Sequence, residues 1–169
     1  MNQLATIRPA TATDARSILE AQRAAVLRTA AASYSTDILM AWAAPITPDN
    51  VRRMADVIST QSELALVAIV EGAVAGFGSI VPKNAELRAI YVHPDFSRKG
   101  IGGQILTALE RLARQHKISA LMMDASLNAE DFYLKRGFVV VEYGEHELRA
   151  GARMRCVKMR KIMSPVFAD

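Results

Sequence analysis

The change from helical to strand periodicity near residue 64 constrains the fold of this chain more than any other feature of its sequence. Residues 64–70 and 74–81 form two apolar runs, separated by the tight turn Glu71-Gly72. Runs of this length without polar alternation are typical of strands that are buried on both faces. The sequence therefore predicts a hairpin of buried strands in the middle of the chain.

Helices precede this hairpin, and a mixture of strands and helices follows it. We predict a short strand at residues 3–8, a helix from Thr11 to about residue 32, a second helix behind the N-cap Ser35, and a third that begins at Thr47-Pro48. After the hairpin we predict strands at 85–93 and 118–123, helices at 100–115 and 128–136, and a last hairpin of residues 138–148 and 152–162. This order predicts an α+β fold with a mainly antiparallel sheet and one βαβ crossover, and it argues against a doubly wound sheet.

Length and cysteine content restrict the class of protein. The 169 residues suffice for a single domain, which we expect to span 1–169. The one cysteine, Cys156, excludes a disulfide framework within the chain and a cysteine-rich zinc site. The N-terminus lacks the apolar core of a signal peptide, and no apolar run approaches the ~20 residues that span a bilayer. We therefore expect a cytoplasmic protein with no membrane partner.

The positive charge of the chain is concentrated in its second half. The formal net charge is +4, and 15 of the 21 Lys and Arg residues lie after residue 80, against 10 of the 17 acidic residues. Such a region suits nucleic acid, and it equally suits a small polyanionic ligand such as a phosphorylated cofactor. The cations are scattered, with none of the interleaved aromatic residues of a nucleic-acid surface. We therefore expect no nucleic-acid partner.

A glycine-rich, basic loop joins the predicted strand 85–93 to the predicted helix 100–115. Such a loop turns successive backbone N–H groups toward one point at the positive end of a helix dipole, which makes an anion site. The glycines leave room for a phosphate to approach the backbone, but the loop has neither a Walker A nor a Rossmann pattern, so a plain strand-to-helix turn stays possible. The residues of the candidate anion site are Arg98, Lys99, Gly100, Ile101, Gly102 and Gly103.

A second motif follows the strand 118–123. Its fixed positions are Asn128, Ala129, Phe132, Tyr133, Gly137 and Phe138. The two motifs together resemble the GNAT superfamily of N-acetyltransferases, whose acetyl-CoA loop reads Gln/Arg-x-x-Gly-x-Gly/Ala and whose second signature is Asn-Ala-x-x-Phe-Tyr-x-x-x-Gly-Phe. The second signature matches at every fixed position, whereas Ser97 stands where the loop pattern has Gln or Arg. The resemblance covers roughly residues 4–162.

A finer resemblance rests on shorter segments. Tyr34-Ser35 with Trp42, the triplet Asp124-Ala125-Ser126, and the late Arg149-x-Gly151 followed by Met159 are similar to the bacterial YafP-like branch of acetyltransferases. That branch implies no particular substrate.

The superfamily resemblance implies a fold and an activity. The expected fold is a three-layer α/β arrangement with a mixed, mostly antiparallel sheet of about seven strands flanked by helices. The expected activity is acetyl transfer from acetyl-CoA to a primary amine by direct attack in a ternary complex, with a small-molecule or peptide acceptor, no metal, and a monomer or homodimer. The alternative is a protein that keeps the acyl-CoA site, has lost catalysis and senses acyl-CoA.

The resemblance also implies where acetyl-CoA would lie. Its pyrophosphate would rest on the amides of residues 98–103, and its pantetheine arm would lie beside the strand 85–93, on backbone groups of Ile90 and Val92. The N–H of Val92 would polarise the thioester carbonyl, and Asn128 would hydrogen-bond the arm.

Tyr133 and Glu86 are the candidate catalytic residues under the same resemblance. Tyr133 would protonate the departing thiolate, although it also fits a core aromatic residue. Glu86, eleven residues before Ser97, would act as a general base through water, although it also fits a solvated carboxylate at a strand start. Asp124 is the rival base or an anion that binds the amine.

Aromatic residues from the helical region would line the acceptor pocket. Tyr34 and Trp42 are the candidates, with plain core packing as the alternative. The histidines His93, His116 and His146 fall in separate elements, which favours surface or strand-edge positions over a metal site.

Overall fold

One seven-stranded sheet forms the centre of the computed structural model, which describes residues 4–164. The strands are β1 (Thr6–Pro9), β2 (Leu64–Val70), β3 (Ala73–Val81), β4 (Glu86–Val92), β5 (Ala120–Ser126), β6 (Val139–Glu147) and β7 (Arg153–Ile162). They lie in the order β1-β2-β3-β4-β5-β7-β6, and every neighbouring pair is antiparallel except β4 and β5. The predicted mixed, mainly antiparallel sheet is confirmed, and its first hairpin has Glu71-Gly72 as the turn.

Helices cover both faces of this sheet. They are α1 (Ala15–Ala24), α2 (Thr36–Trp42), α3 (Pro48–Ser59), α4 (Ile101–Gln115) and α5 (Glu130–Leu134). Helix α4 buries its apolar side against one face, where Ile105 and Leu109 pack with Ile80 and Leu87. Helices α1 and α3 cover the other face, where Ile18 and Ile58 pack with Phe77. The alternation of strand side chains between these two cores gives three layers.

Two predicted helix starts are present, and several predicted boundaries differ. The predicted strand 118–123 is β5 at Ala120–Ser126, and the predicted helix 128–136 is a 3₁₀ turn followed by α5 at Glu130–Leu134. The hydroxyls of Ser35 and Thr47 accept hydrogen bonds from the amides of the third residues beyond them, as N-caps do. The first helix was expected to reach residue 32, but α1 ends at Ala24 and continues as a π-helical turn through Thr29. The spacing of apolar residues does not distinguish an α-helix from a π-helical turn here, because the same side of the chain is buried in both segments. Strand β1 includes Pro9, which an edge strand tolerates, and residue 3 of the predicted strand lies outside the described residues.

An ion pair between the partly exposed Arg8 and the buried Asp14 fixes the entry into α1. Arg8 donates to both carboxylate oxygens of Asp14, at 2.8 and 2.9 Å, and the amide of Thr11 donates to the same carboxylate at 2.8 Å. These contacts, the Arg8 hydrogen bonds foremost, lower the pKa of Asp14 to about 2 although burial acts to raise it.

The centre of the sheet opens between β4 and β5. Arg88 is an additional residue in β4, because Ser79 of β3 pairs with Ala89 while the next residue, Ile80, pairs with Leu87. The parallel pairing of β4 with β5 holds only at Glu86 and Met122. Past that point the two strands run on without pairing, so a gap opens in the sheet.

Candidate active site

The gap between β4 and β5 exposes one backbone edge of β4. The N–H of His93 donates to Ala75 of β3 at 2.8 Å. Since backbone groups alternate along a strand, those of Ile90 and Val92 point to the opposite edge, toward β5. No described residue between 4 and 164 pairs with them there. The two positions predicted to hold the pantetheine arm therefore carry free hydrogen-bonding groups that face the gap.

The loop after β4 ends at the N-terminus of α4. Arg98 and Gly100 both have positive φ, 59° and 80°, and Gly100 immediately precedes the helix. Among residues 4–164, none accepts a hydrogen bond from the amides of Arg98, Lys99 or Gly100. These donors and the first turn of a 15-residue helix form an electropositive cradle, to which Arg98 and Lys99 add charge.

Gly102 and Gly103 have a packing role that the sequence did not reveal. A Cβ on Gly102 would lie 3.2 Å from Cε2 of Phe132, and a Cβ on Gly103 would lie 2.9 Å from Nη2 of Arg136. The absence of side chains at these positions lets α5 pack closely on α4. The cradle and the second motif are therefore adjacent.

Tyr133 lies in this contact and is buried. Its side chain is only 4% exposed, and its ring packs edge-on against Phe138 with 5.4 Å between centroids. No residue of the described range 4–164 forms a hydrogen bond with its hydroxyl. Burial raises the pKa of Tyr133 well above its usual value, and the phenol of Tyr91 adds to the increase. The phenol of Tyr133 is thus held in its protonated form.

Asn128 follows β5 at the mouth of the gap. It lies in the short 3₁₀ turn Leu127–Ala129, which leads directly into α5, and it is exposed. It therefore follows the strand whose pairing with β4 ends at Met122, and its contact with an extended arm stays a prediction.

A cavity of about 670 Å³ opens on the face of the sheet opposite α4. Its walls combine the aromatic residues Trp42, Phe77 and Tyr91 with charged residues of β4 and β5. Trp42 donates from Nε1 to the hydroxyl of Tyr91 at 3.0 Å, which fixes the indole as part of the wall. Trp42 therefore lines a cavity, and its contact with an acceptor stays a prediction.

Tyr34, in contrast, is not among the residues that line this cavity. Its hydroxyl donates to the carbonyl of Arg155 at 2.7 Å and accepts from the amide of Leu127 at 2.8 Å. The ring also packs edge-on against Trp42, at 5.6 Å between centroids. Tyr34 thus links the segment before α2 to strand β7 and to the residue that follows β5.

Glu86 lines the cavity, but its carboxylate is occupied. Arg88 donates to both oxygens, Nε to Oε1 at 2.9 Å and Nη2 to Oε2 at 2.8 Å. The same guanidinium reaches Glu63 at 3.2 Å. Glu86 and Arg88 are two residues apart in β4, so their side chains lie on the same face of the strand.

Asp124 also lines the cavity, and its carboxylate contacts the side chains of His146 and Lys158. Nδ1 of His146 lies 2.9 Å from its Oδ2, and Nζ of Lys158 lies 3.2 Å from its Oδ1. Burial acts to raise the pKa of Asp124, but these hydrogen bonds outweigh it, and the pKa lies below its usual value. His146 itself lines the cavity. No local sequence pattern reveals this pair, because it joins β5 to β6 across β7.

Two further observations concern metals and membranes. Within residues 4–164, no group of three or more His, Cys, Asp or Glu side chains could hold a metal ion. The helices in that part of the chain are all too short or too polar to cross a bilayer.

Comparisons with known proteins agree with this architecture. The family model described as acetyltransferase (GNAT) domain matches residues 30–163. The chain is similar to a GCN5-related N-acetyltransferase from Rhodopseudomonas palustris, with 29% identity over 96% of this chain and 98% of the other and a TM-score of 0.86.

Two more distant structures share the fold. A PaiA N-acetyltransferase from Thermoplasma acidophilum in complex with coenzyme A has 20% identity over 95% and 99% of the two chains and a TM-score of 0.74. A phosphinothricin acetyltransferase from Sinorhizobium meliloti in complex with acetyl-CoA has 20% identity over 99% and 93% and a TM-score of 0.73.

Proposed function

The chain belongs to the GNAT family of acetyltransferases, and we propose that it transfers an acetyl group from acetyl-CoA to a primary amine by direct attack in a ternary complex. One observation carries this proposal: β4 has an unpaired edge, its end leads into the amide cradle, and its residues line the cavity of about 670 Å³. An extended donor and an amine can therefore meet in the gap without a covalent relay on the protein.

The donor set in the gap fits acetyl-CoA. The free amides at the start of α4 and the charges of Arg98 and Lys99 suit a diphosphate, with the backbone of residues 98–103 as the contact surface. The open edge of β4 at Ile90 and Val92 suits an arm that carries amide groups, and we assign Asn128 to the same arm. When bound, acetyl-CoA supplies the thioester carbonyl that the amine attacks.

The chain provides two groups for the chemistry at that thioester. The N–H of Val92 is oriented to donate to the carbonyl oxygen as negative charge develops there. Tyr133 holds a proton on a buried hydroxyl and gives it to the sulfur as the C–S bond breaks. The carboxylates of Glu86 and Asp124, the two candidate bases, both line the cavity that would receive the amine.

The acceptor is a small-molecule or peptide amine. The cavity of about 670 Å³ is large enough for either, and Trp42 offers an aromatic wall to an apolar or cationic body. We retain as proposals a single domain over residues 1–169, membership of the YafP-like branch, a cytoplasmic location, and a monomer or homodimer.

A second candidate function is a catalytically silent sensor of acyl-CoA. The observation that favours it is the state of the two carboxylates: Arg88 occupies Glu86, and Lys158 and His146 occupy Asp124. A carboxylate held in this way is a weak proton acceptor.

The experiment that separates these functions measures free thiol released from acetyl-CoA over a panel of aromatic amines, aliphatic amines, amino acids and short peptides. We expect amine-dependent thiol release with the matching amide detected by mass spectrometry. The same compounds with an acetylated amino group are the control. Calorimetric binding of acetyl-CoA without turnover of any amine would favour the sensor, and the absence of binding would refute both functions.

A further inference from the structure

His146 and Asp124 form a hydrogen-bonded pair on the wall of the acceptor cavity. Nδ1 of His146 lies 2.9 Å from Oδ2 of Asp124, and both residues line the cavity beside Cys156. The pair stands on the β5 side of the gap, and Glu86 and Tyr91 line the cavity on the β4 side. An amine in this cavity would therefore have the imidazole on one side of the gap.

The contact determines which nitrogen of the imidazole is free. The carboxylate of Asp124 is ionised and accepts hydrogen bonds, so Nδ1 of His146 carries the hydrogen that it donates. Nε2 then has a lone pair, and among residues 4–164 no side chain or backbone group bonds to it. The imidazole is 46% exposed, which leaves this nitrogen open to a ligand.

The carboxylates of the cavity are poorer proton acceptors than this nitrogen. Glu86 has both oxygens bonded to Arg88, and Asp124 is stabilised as an anion by Lys158 and His146. Histidine is the side chain that accepts and releases protons near neutral pH.

We propose that His146 is the general base of the transfer and that Asp124 is the residue that positions it. The proposal rests on the acetyltransferase function proposed above, and it replaces the carboxylate base expected from the sequence.

The proton balance of the step closes within the chain. The neutral amine nitrogen forms a bond to the carbonyl carbon, and Nε2 of His146 takes one proton from that nitrogen. The C–S bond breaks with its electron pair on sulfur, and the hydroxyl of Tyr133 gives the sulfur a proton. Return of the proton from His146 to Tyr133 through solvent restores both side chains. The net reaction is amine plus thioester giving amide plus thiol.

We expect His146 to produce the acid limb of the plot of kcat/KM against pH. The base acts only when its ring is neutral, so kcat/KM falls as the pH falls and the imidazole becomes protonated. The charged and titratable groups near the ring or on the walls of the same cavity are Asp124, Lys158, Cys156, Glu86, Arg88, Arg149, Glu63, Arg53 and Tyr91. The test separates His146 from these groups by changing it alone.

The test compares wild type with His146→Gln, His146→Ala and Asp124→Asn, with His116→Gln as the matched control. His116 is an exposed histidine at the end of α4 and does not line the cavity. We expect kcat/KM to fall by about 10²-fold or more in both His146 variants, with the affinity for acetyl-CoA unchanged. Added imidazole should restore part of the activity of His146→Ala, and the acid limb should disappear in His146→Gln.

A second measurement does not depend on turnover. Long-range ¹H–¹⁵N spectra of the free protein report which ring nitrogen carries the hydrogen. We expect the Nδ1–H form of His146 in wild type at neutral pH, and loss of that preference in Asp124→Asn.

The outcomes are distinct. The role of His146 as the general base is refuted if His146→Gln turns over within twofold of wild type, or if its acid limb is unchanged. Either result leaves the transferase function intact. Spectra that show the Nε2–H form of His146 in wild type would refute the same role. If the wild-type protein binds acetyl-CoA and acetylates no amine, both the transferase function and the role of His146 as its base are refuted. Loss of the acid limb in Glu86→Gln with His146 unchanged would return the role to Glu86.

Discussion

Replacement of Tyr133 by phenylalanine separates catalysis from packing at this site. The ring is buried and packs edge-on against Phe132 and Phe138, at 4.9 and 5.4 Å between centroids. Tyr133→Phe keeps these contacts and removes only the hydroxyl. Because no residue among 4–164 bonds to that hydroxyl, the substitution breaks no hydrogen bond of the described chain.

The structure gives the sign of the change in stability. A buried polar group without a partner costs about 1–3 kcal/mol, and removal of that group recovers part of the cost. We therefore expect the free energy of unfolding of Tyr133→Phe to equal that of wild type or exceed it by about 1 kcal/mol. The rate should respond in the opposite direction. Loss of a general acid lowers kcat by roughly 10–10³-fold, with little change in the affinity for acetyl-CoA.

The assay pairs urea unfolding with amine-dependent thiol release across a range of pH. Because burial raises the pKa of Tyr133, its ionisation limb in wild type should lie at more alkaline pH than that of a free phenol. That limb should be absent from the phenylalanine variant. Turnover equal to wild type would refute the role of Tyr133 as the acid. A joint loss of stability and activity would refute the claim that its hydroxyl has no structural partner.

Three further predictions concern the entry to α1, the cradle and the α4–α5 contact. Asp14→Asn should lower the free energy of unfolding at pH 7 by about 2 kcal/mol, because the pKa of Asp14 in the fold is about 2. This stabilisation is present above the unfolded pKa of 3.8 and is lost as the pH falls toward 2, so urea unfolding should show the difference shrink there. Arg98→Glu should raise the Kd for acetyl-CoA by about tenfold in calorimetry at low salt and less at high salt, without a change in melting temperature. Gly102→Ala should lower the free energy of unfolding by about 1–3 kcal/mol, measured in urea, since its Cβ would lie 3.2 Å from Phe132.

Local patterns predicted the elements of this fold well, because each pattern reports burial within a few residues. The apolar runs 64–70 and 74–81 became β2 and β3, and Pro48 begins α3 where its missing N–H costs nothing. The amphipathic spacing of residues 100–115 became α4 with an error of one residue at its start. These predictions needed no knowledge of what lies across the sheet.

The composition of the site depends on contacts between distant residues, and the sequence could not provide those. Tyr34 does not line the cavity because the Arg155 carbonyl and the Leu127 amide bind its hydroxyl elsewhere. Whether a carboxylate can act as a base depends on its partner, and the partners of Asp124 lie on other strands. His146 reaches Asp124 only because β6 and β5 flank β7.

The bulge in β4 explains why the cavity and the gap occur together. Before it, Leu87 packs toward α4; after it, Ile90 and Val92 pack toward α4 while Ala89 and Tyr91 face α1 and α3. In a regular strand two residues an odd number apart face opposite sides, so Leu87 and Ile90 share a face only because Arg88 is inserted. If Arg88 were instead paired as an ordinary residue of a regular strand, Tyr91 would point into the α4 core and could not receive the hydrogen bond from Trp42 that forms the cavity wall. The same shift gives Ile90 and Val92 the backbone edge that faces the gap. A single additional residue thus places the donor edge and the acceptor wall on the same short stretch of strand.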